Sequence, residues 1–157
     1  MTSNLLLVIF LYCLSAFTFA AEPVSTGYFN DTAISGHNVI AYHGLSLGDK
    51  AIKGDQTYTE QWKGANWYFN SEEERERFKA SPESYAPAYN GFCANALSLG
   101  EGLIRTSGKH WAVFEGQLYV FYAARGAERW LQDDYKAYKI IADREWAAII
   151  QKPREQK

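Results

Sequence analysis

The eight residues WKGANWYF, at positions 62–69, indicate the fold of this chain most directly. Residues Thr57–Trp62 alternate in the manner of a strand, Lys63-Gly64 supplies a turn, and the alternation resumes over Ala65–Phe69 with two aromatic residues on one side. A period of two places alternate side chains on the same face of a strand. The stretch therefore predicts an antiparallel β-hairpin with an aromatic face.

A second hairpin is predicted further along the chain, where Trp111–Phe114 and Leu118–Phe121 flank the turn residues 115–117. A short apolar, β-branched run at Val39–Tyr42 predicts one more strand. Because the alternating aromatic residues of both hairpins need a common apolar layer to pack against, we expect the two hairpins to belong to one sheet.

Three stretches between and after the strands have helical patterns. Ser71 and Glu74 have the spacing of a capping box, and Pro82 ends the helix that they begin, so a helix is predicted over 71–80. A short apolar helix is predicted over Gly91–Leu99, and Arg125–Gln151 predicts two helices that are separated at residues 133–134. A small antiparallel sheet of hairpins with helices packed on one face is an α+β fold.

The start of the chain predicts export. Leu5–Phe19 is an apolar run, which is shorter than the about 20 residues that a membrane span needs and is followed by the small residue Ala20. We therefore predict a signal peptide over residues 1–20, cleaved after Ala20, and a mature protein that is periplasmic or secreted and has no stable membrane span. Because Met1–Asn4 carries no Lys or Arg, an uncleaved anchor is the alternative.

The remaining chain is long enough for one domain with a real core. We expect a flexible lead-in over residues 21–33, the domain over 34–151 and a solvated polar tail over 152–157. The formal net charge of -2, with acidic and basic residues interspersed, excludes a nucleic-acid partner of the usual basic kind.

A series of spaced motifs covers most of the mature chain. In chain order they are GHNVIAY at 36–42, WKGANWYF at 62–69, Phe78, Pro82, Tyr85-Ala86-Pro87, Tyr89, Gly91-Phe92-Cys93-Ala94, GQLY at 116–119, and Trp130 with Asp133. Together they resemble the signature of YHS-domain proteins, and residues 34–151 are accordingly predicted to be a YHS-like domain. The resemblance implies a small α+β fold, export and an association with heavy metals, and it makes Cys93 the residue of greatest interest.

The cysteines and histidines suggest a soft-metal site. Cys13 is expected to leave with the signal peptide, so Cys93 is left alone in an oxidising compartment and must be buried, paired between chains or chemically active. Thiolate and imidazole suit copper(I) or zinc. His37 and His43 flank the strand predicted at 39–42 and share one face of it, while His110 precedes another strand. We predict a copper-type site formed by Cys93 with one or more of His37, His43 and His110.

Two alternatives to a metal site stay open. A thiol-redox module is one, because Cys93 lies near a predicted helix start, where the dipole lowers the pKa of a thiol. A small-molecule-binding module with an aromatic-lined cleft is the other, for a flat or sugar-like ligand anchored by Arg105 or Lys109. Its predicted ligand-binding residues are Tyr89, Phe92 and Trp111. No phosphate loop or serine-nucleophile elbow is present, so the sequence favours binding over catalysis.

Overall fold

The computed structural model describes residues 22–152. The predicted signal peptide (1–20), its cleavage point and all but the first residue of the polar tail (152–157) lie outside the described residues. Within 22–152, no helix combines the length and the apolar character that crossing a membrane requires.

The α+β class predicted from the sequence is confirmed. The strands are β1 (Asp55–Trp62), β2 (Ala65–Phe69), β3 (His110–Phe114) and β4 (Gln117–Phe121). The α-helices are α1 (Glu72–Ala80), α2 (Pro82–Tyr85), α3 (Ala94–Ser98), α4 (Ala124–Gln132) and α5 (Tyr135–Gln151). Short 3₁₀ segments occupy Ile34–Gly36, Ala41–Gly44 and Ala88–Gly91.

Both predicted hairpins form, with β1 antiparallel to β2 and β3 antiparallel to β4. Each turn has two residues with positive φ, namely Lys63 and Gly64 in the first and Glu115 and Gly116 in the second. Positive φ at both central positions gives the turn a twist that matches the flanking strands.

The expectation of a single sheet is wrong, since the hairpins form two separate two-stranded sheets. In the second hairpin, β4 buries both of its faces. Leu118 and Val120 belong to a first core that also contains Trp67, whereas Tyr119 and Phe121 belong to a second core. The β3–β4 hairpin is therefore a layer between two cores, and it shares the first core with β2 through side-chain packing instead of a hydrogen-bonded ladder.

The strand predicted at Val39–Tyr42 is also wrong, because this stretch is a turn that leads into the 3₁₀ segment 41–44. The Asn38 side chain explains the difference. Its Oδ1 accepts hydrogen bonds from the backbone N–H groups of Ile40, at 3.0 Å, and of Ala41, at 3.4 Å, which bends the chain. His37 and His43 consequently do not lie on one strand.

The helix predictions are close to the structure. Ser71 caps α1, with its Oγ accepting from the Glu74 N–H at 3.2 Å. Asp134 caps α5 in the same way and separates that helix from α4 as expected. The helix predicted over 91–99 starts later, at Ala94, because residues 89–91 have left-handed backbone conformation.

The expected lead-in is built into the fold where the structure describes it. Ser25 is fully buried, its N–H donates to the Asn90 carbonyl at 2.9 Å, and its carbonyl accepts from the Ile34 N–H at 2.9 Å. Its Oγ also accepts from the Thr106 N–H at 3.0 Å. Four segments that are distant in sequence therefore meet at one small residue, through its backbone and its hydroxyl.

Candidate ligand cleft

The three histidines have different surroundings. His37 is buried, with Nδ1 3.1 Å from the Ile34 carbonyl oxygen, and burial lowers its pKa. His43 packs edge-on against the Tyr85 ring at 5.6 Å, and burial also lowers the pKa of His43. His110 begins β3 and pairs with Phe121.

The structure does not bring Cys93 together with two or more of the predicted histidine ligands. Among residues 22–152, no group of three or more His, Cys, Asp or Glu side chains is placed to hold a metal ion. One physical reason is the turn that Asn38 forms. Because this turn replaces the predicted strand, His37 and His43 are not aligned on one face. Copper binding by Cys93 with a single histidine stays a prediction.

Cys93 is a free, buried cysteine in the second core, only 4% exposed. Its Sγ accepts a hydrogen bond from the Tyr122 N–H at 3.3 Å, and its own N–H donates to the Ile104 carbonyl at 2.8 Å. A reactive thiol is normally reachable from solvent. The burial of this one favours a packing role over a redox role.

A cleft of about 550 Å³ lies immediately beside Cys93. We call it the Arg105 cleft, and it is lined by Pro23, Val24, Tyr28, Phe92, Leu103, Ile104, Arg105 and Tyr122. Its walls come from the lead-in, from the segment before α3, from residues 103–105 and from the end of β4. Apart from the guanidinium group, the lining is mainly aliphatic and aromatic.

Backbone pairing brings these walls together. Phe92 and Arg105 form an antiparallel bridge, and the Thr106 hydroxyl donates to the Gly91 carbonyl at 2.8 Å. Gly91 has φ +84, and a Cβ there would lie 2.6 Å from Cγ2 of Ile34. Glycine is therefore required at the turn that delivers Phe92 to the cleft.

Arg105 is the one charged residue in the lining of the cleft. Its guanidinium carbon lies 4.7 Å from the centre of the Tyr28 ring, in a cation–π contact, and no carboxylate of residues 22–152 forms an ion pair with it. A guanidinium group without a carboxylate partner has its planar set of donors available for an anion. Tyr28 is 81% exposed, so its contact with Arg105 can be exchanged for a ligand.

Of the three predicted ligand-binding residues, only Phe92 lines the Arg105 cleft. Arg105 supplies the polar anchor that the aromatic-cleft alternative expected. Tyr89 instead donates to the Asp143 carboxylate at 2.8 Å, and the Trp111 indole N–H donates to the Asp49 carbonyl at 3.3 Å, each away from this cleft.

Two aromatic residues of the cleft, Tyr28 and Tyr122, were missed by sequence reasoning. Tyr28 lies in the stretch expected to be a flexible lead-in, and Tyr122 follows the last residue of β4. Neither position has a local pattern that indicates a binding residue, since each reaches the cleft only through the tertiary fold.

Comparison with known proteins adds no relative. No family model, no curated protein and no solved structure matches this chain. The resemblance to YHS-domain proteins remains a prediction from the motifs.

Proposed function

We propose that this protein is an exported binding module whose Arg105 cleft holds a small anionic ligand with a flat apolar body. The observation that carries the proposal is the Arg105 guanidinium, which has no carboxylate partner within residues 22–152, in a cleft lined by Tyr28, Phe92 and Tyr122. The volume of about 550 Å³ is within the roughly 300–1,000 Å³ of small-molecule sites.

The chemistry of the cleft indicates how such a ligand would bind. A carboxylate, sulfonate or phosphate group would accept two parallel hydrogen bonds from Arg105, taking the place of the Tyr28 ring over the guanidinium group. The apolar body of the ligand would contact Phe92, which is buried, and Tyr122, which is 68% exposed. These contacts require no reaction, in keeping with a binding module.

Soft-metal binding through Cys93 is the second proposal. A single contact favours it, the hydrogen bond from the Tyr122 N–H to Sγ at 3.3 Å, which holds the sulfur in one orientation. It has less support than the first proposal, since no histidine among residues 22–152 forms a hydrogen bond with that sulfur.

Two fluorescent probes test the main proposal. Anilinonaphthalene sulfonate is a flat aromatic anion, and phenylnaphthylamine has the same rings without the sulfonate. We expect the anion to bind the native protein one-to-one and more tightly than the neutral probe. Arg105→Gln should weaken binding of the anion by about 1.5–3 kcal/mol, the value of a hydrogen bond to a charged group, which is roughly 10- to 100-fold in Kd.

Arg144→Gln is the matched control for that experiment. Arg144 lies on α5, is well exposed and does not line the cleft, so the variant has the same change in net charge without a change in the cleft. Equal affinities of the anionic probe for Arg105→Gln and Arg144→Gln would refute the proposal.

A further inference from the structure

A second cavity, of about 320 Å³, lies between the turn of the β3–β4 hairpin and helix α5. We call it the Tyr119 cavity. The side chains that give it its chemistry are Phe114, Gln117, Tyr119, Tyr135, Lys139 and Asp143. It shares none of its lining with the Arg105 cleft.

The Tyr119 hydroxyl is the polar group of this cavity that has no partner within residues 22–152. The residue is only 2% exposed, its Oη is not among the fully buried polar atoms, and no residue of the described range forms a hydrogen bond with it. The oxygen therefore keeps a surface that a ligand in the cavity can reach. Burial, and then the neighbouring Asp143, raises the pKa of Tyr119 to about 12. The hydroxyl is protonated at neutral pH, as tyrosine normally is, and can donate a hydrogen bond to a ligand.

Asp143 is held in place at the same cavity. Its Oδ1 accepts from the Tyr89 hydroxyl at 2.8 Å, and its Oδ2 accepts from Lys139 Nζ at 2.5 Å. A carboxylate has about four acceptor positions, so Asp143 can accept from a ligand while it keeps both partners. The lining of the cavity thus contains both an acceptor held by two partners, Asp143, and the hydroxyl donor of Tyr119.

The charges around the cavity are already balanced. Lys139 pairs with Asp143, and Glu115 pairs with Lys136 at 2.8 Å. An ionic ligand would have to compete with these pairs, whereas a neutral ligand need not. The cavity therefore favours an uncharged ligand.

Aromatic rings form the apolar wall. Phe114 and Tyr135 are stacked, with centroids 4.2 Å apart and planes 14° from parallel, and the Tyr119 ring meets Phe114 edge-on at 5.8 Å. A wall of rings beside a donor and an acceptor suits a molecule with one apolar face and several hydroxyl groups.

From these contacts we infer a second binding site, for a neutral polyhydroxylated ring of the saccharide class. One ligand hydroxyl accepts from Tyr119, another donates to Asp143, and the C–H face of the ring lies against Phe114 and Tyr135. The volume of about 320 Å³ is at the lower end of the roughly 300–1,000 Å³ of ligand sites, which suits a single sugar ring or the end of a chain. The inference does not depend on the function proposed for the Arg105 cleft.

The test measures saccharide binding to the purified protein and to Tyr119→Phe. The probes are chito-, cello- and malto-oligosaccharides, screened by saturation-transfer NMR and measured by calorimetry. We expect at least one series to bind one-to-one and Tyr119→Phe to weaken it at least about tenfold, the loss that one hydrogen bond to a ligand can give. The variant keeps the ring and removes no hydrogen bond within residues 22–152, so its melting temperature should not fall.

Two controls make the outcome decisive. Tyr138→Phe removes a hydroxyl on α5, which donates to Asp133 at 2.9 Å outside the cavity, and should leave saccharide affinity unchanged. Arg105→Gln should also leave it unchanged. The inference is overturned if none of the three series binds, if Tyr119→Phe binds as well as the unaltered protein, or if Arg105→Gln abolishes binding.

Discussion

The Arg105 cleft and the Tyr119 cavity both border the second core, but they differ in which groups lack a partner. In the first, a guanidinium group has no carboxylate partner among residues 22–152. In the second, the charges are paired, and a neutral hydroxyl has no hydrogen-bond partner in the same part of the chain. In both proposals, the ligand class follows from the polar group that has no partner within residues 22–152, and not from the residues that are chemically most reactive, here Cys93 and the histidines.

The largest expected loss of stability comes from truncating Trp130, a residue of the second core, which both cavities border. Trp130 is fully buried and packs against Tyr119, Phe121 and Phe114. Trp130→Ala should lower the free energy of unfolding by about 3–5 kcal/mol and impair both cavities together. Urea denaturation followed by circular dichroism measures it.

Trp130→Phe is the control for that substitution. The indole Nε1 of Trp130 is buried without a hydrogen-bond partner within residues 22–152, so Phe keeps a ring and removes an unsatisfied donor. Trp130→Phe should lower the free energy of unfolding clearly less than Trp130→Ala does. Equal losses, or a loss below about 1 kcal/mol for Trp130→Ala, would contradict a shared core.

A smaller loss of stability is expected from Gly91→Ala, and this substitution should weaken ligand binding in only one of the two cavities. Gly91→Ala forces a side chain into the left-handed region, which costs about 1–3 kcal/mol, and adds the overlap with Ile34. Because this turn delivers Phe92 to the Arg105 cleft, binding of the anionic probe should weaken. Saccharide binding at the Tyr119 cavity should not change.

Gly116→Ala is the matched control. Gly116 also has positive φ, at +82, but a Cβ there would meet nothing within 4 Å. The difference in melting temperature between the two variants measures the overlap with Ile34. If Gly91→Ala is no less stable than Gly116→Ala, the close approach of Gly91 to Ile34 is not a constraint.

The smallest effect on ligand affinity is expected at Cys93, the residue to which the sequence motifs gave the greatest interest. Cys93→Ser should change the affinity of either cavity for its probe by less than about 0.5 kcal/mol, because the buried Sγ lines neither of them. Copper(I) titration of the same variant tests the sequence-based prediction, which expects Cys93→Ser to abolish metal binding. Undiminished copper binding would leave the thiol without a metal role.

Local signals account for the part of the fold that the sequence predicted. The Lys63-Gly64 turn and the caps at Ser71 and Asp134 depend on residues within a few positions of one another. The strand expected at 39–42 failed because Asn38 bends the chain, and the Asn38 amide is itself held by residues more than thirty positions away, Asn70 and Glu74.

The candidate sites were predictable only in part, for the same reason. Phe92 and Arg105 were identified as residue types suited to a cleft, and they do pair with each other. Tyr28 and the unpartnered hydroxyl of Tyr119 were not identified as site groups, because the surroundings of each are created by segments that are distant in sequence. A sequence pattern does not show which buried polar group will lack a partner.

The position of β4 has a consequence for how the molecule opens. Since alternate residues of this strand belong to different cores, β4 cannot leave one core without exposing the other. We expect the amide protons of β4 to exchange with solvent only through global unfolding, and the two cores to melt in one transition. A ligand bound in either cavity would then slow amide exchange in both halves of the molecule, including Trp67 and Phe69, which touch neither site.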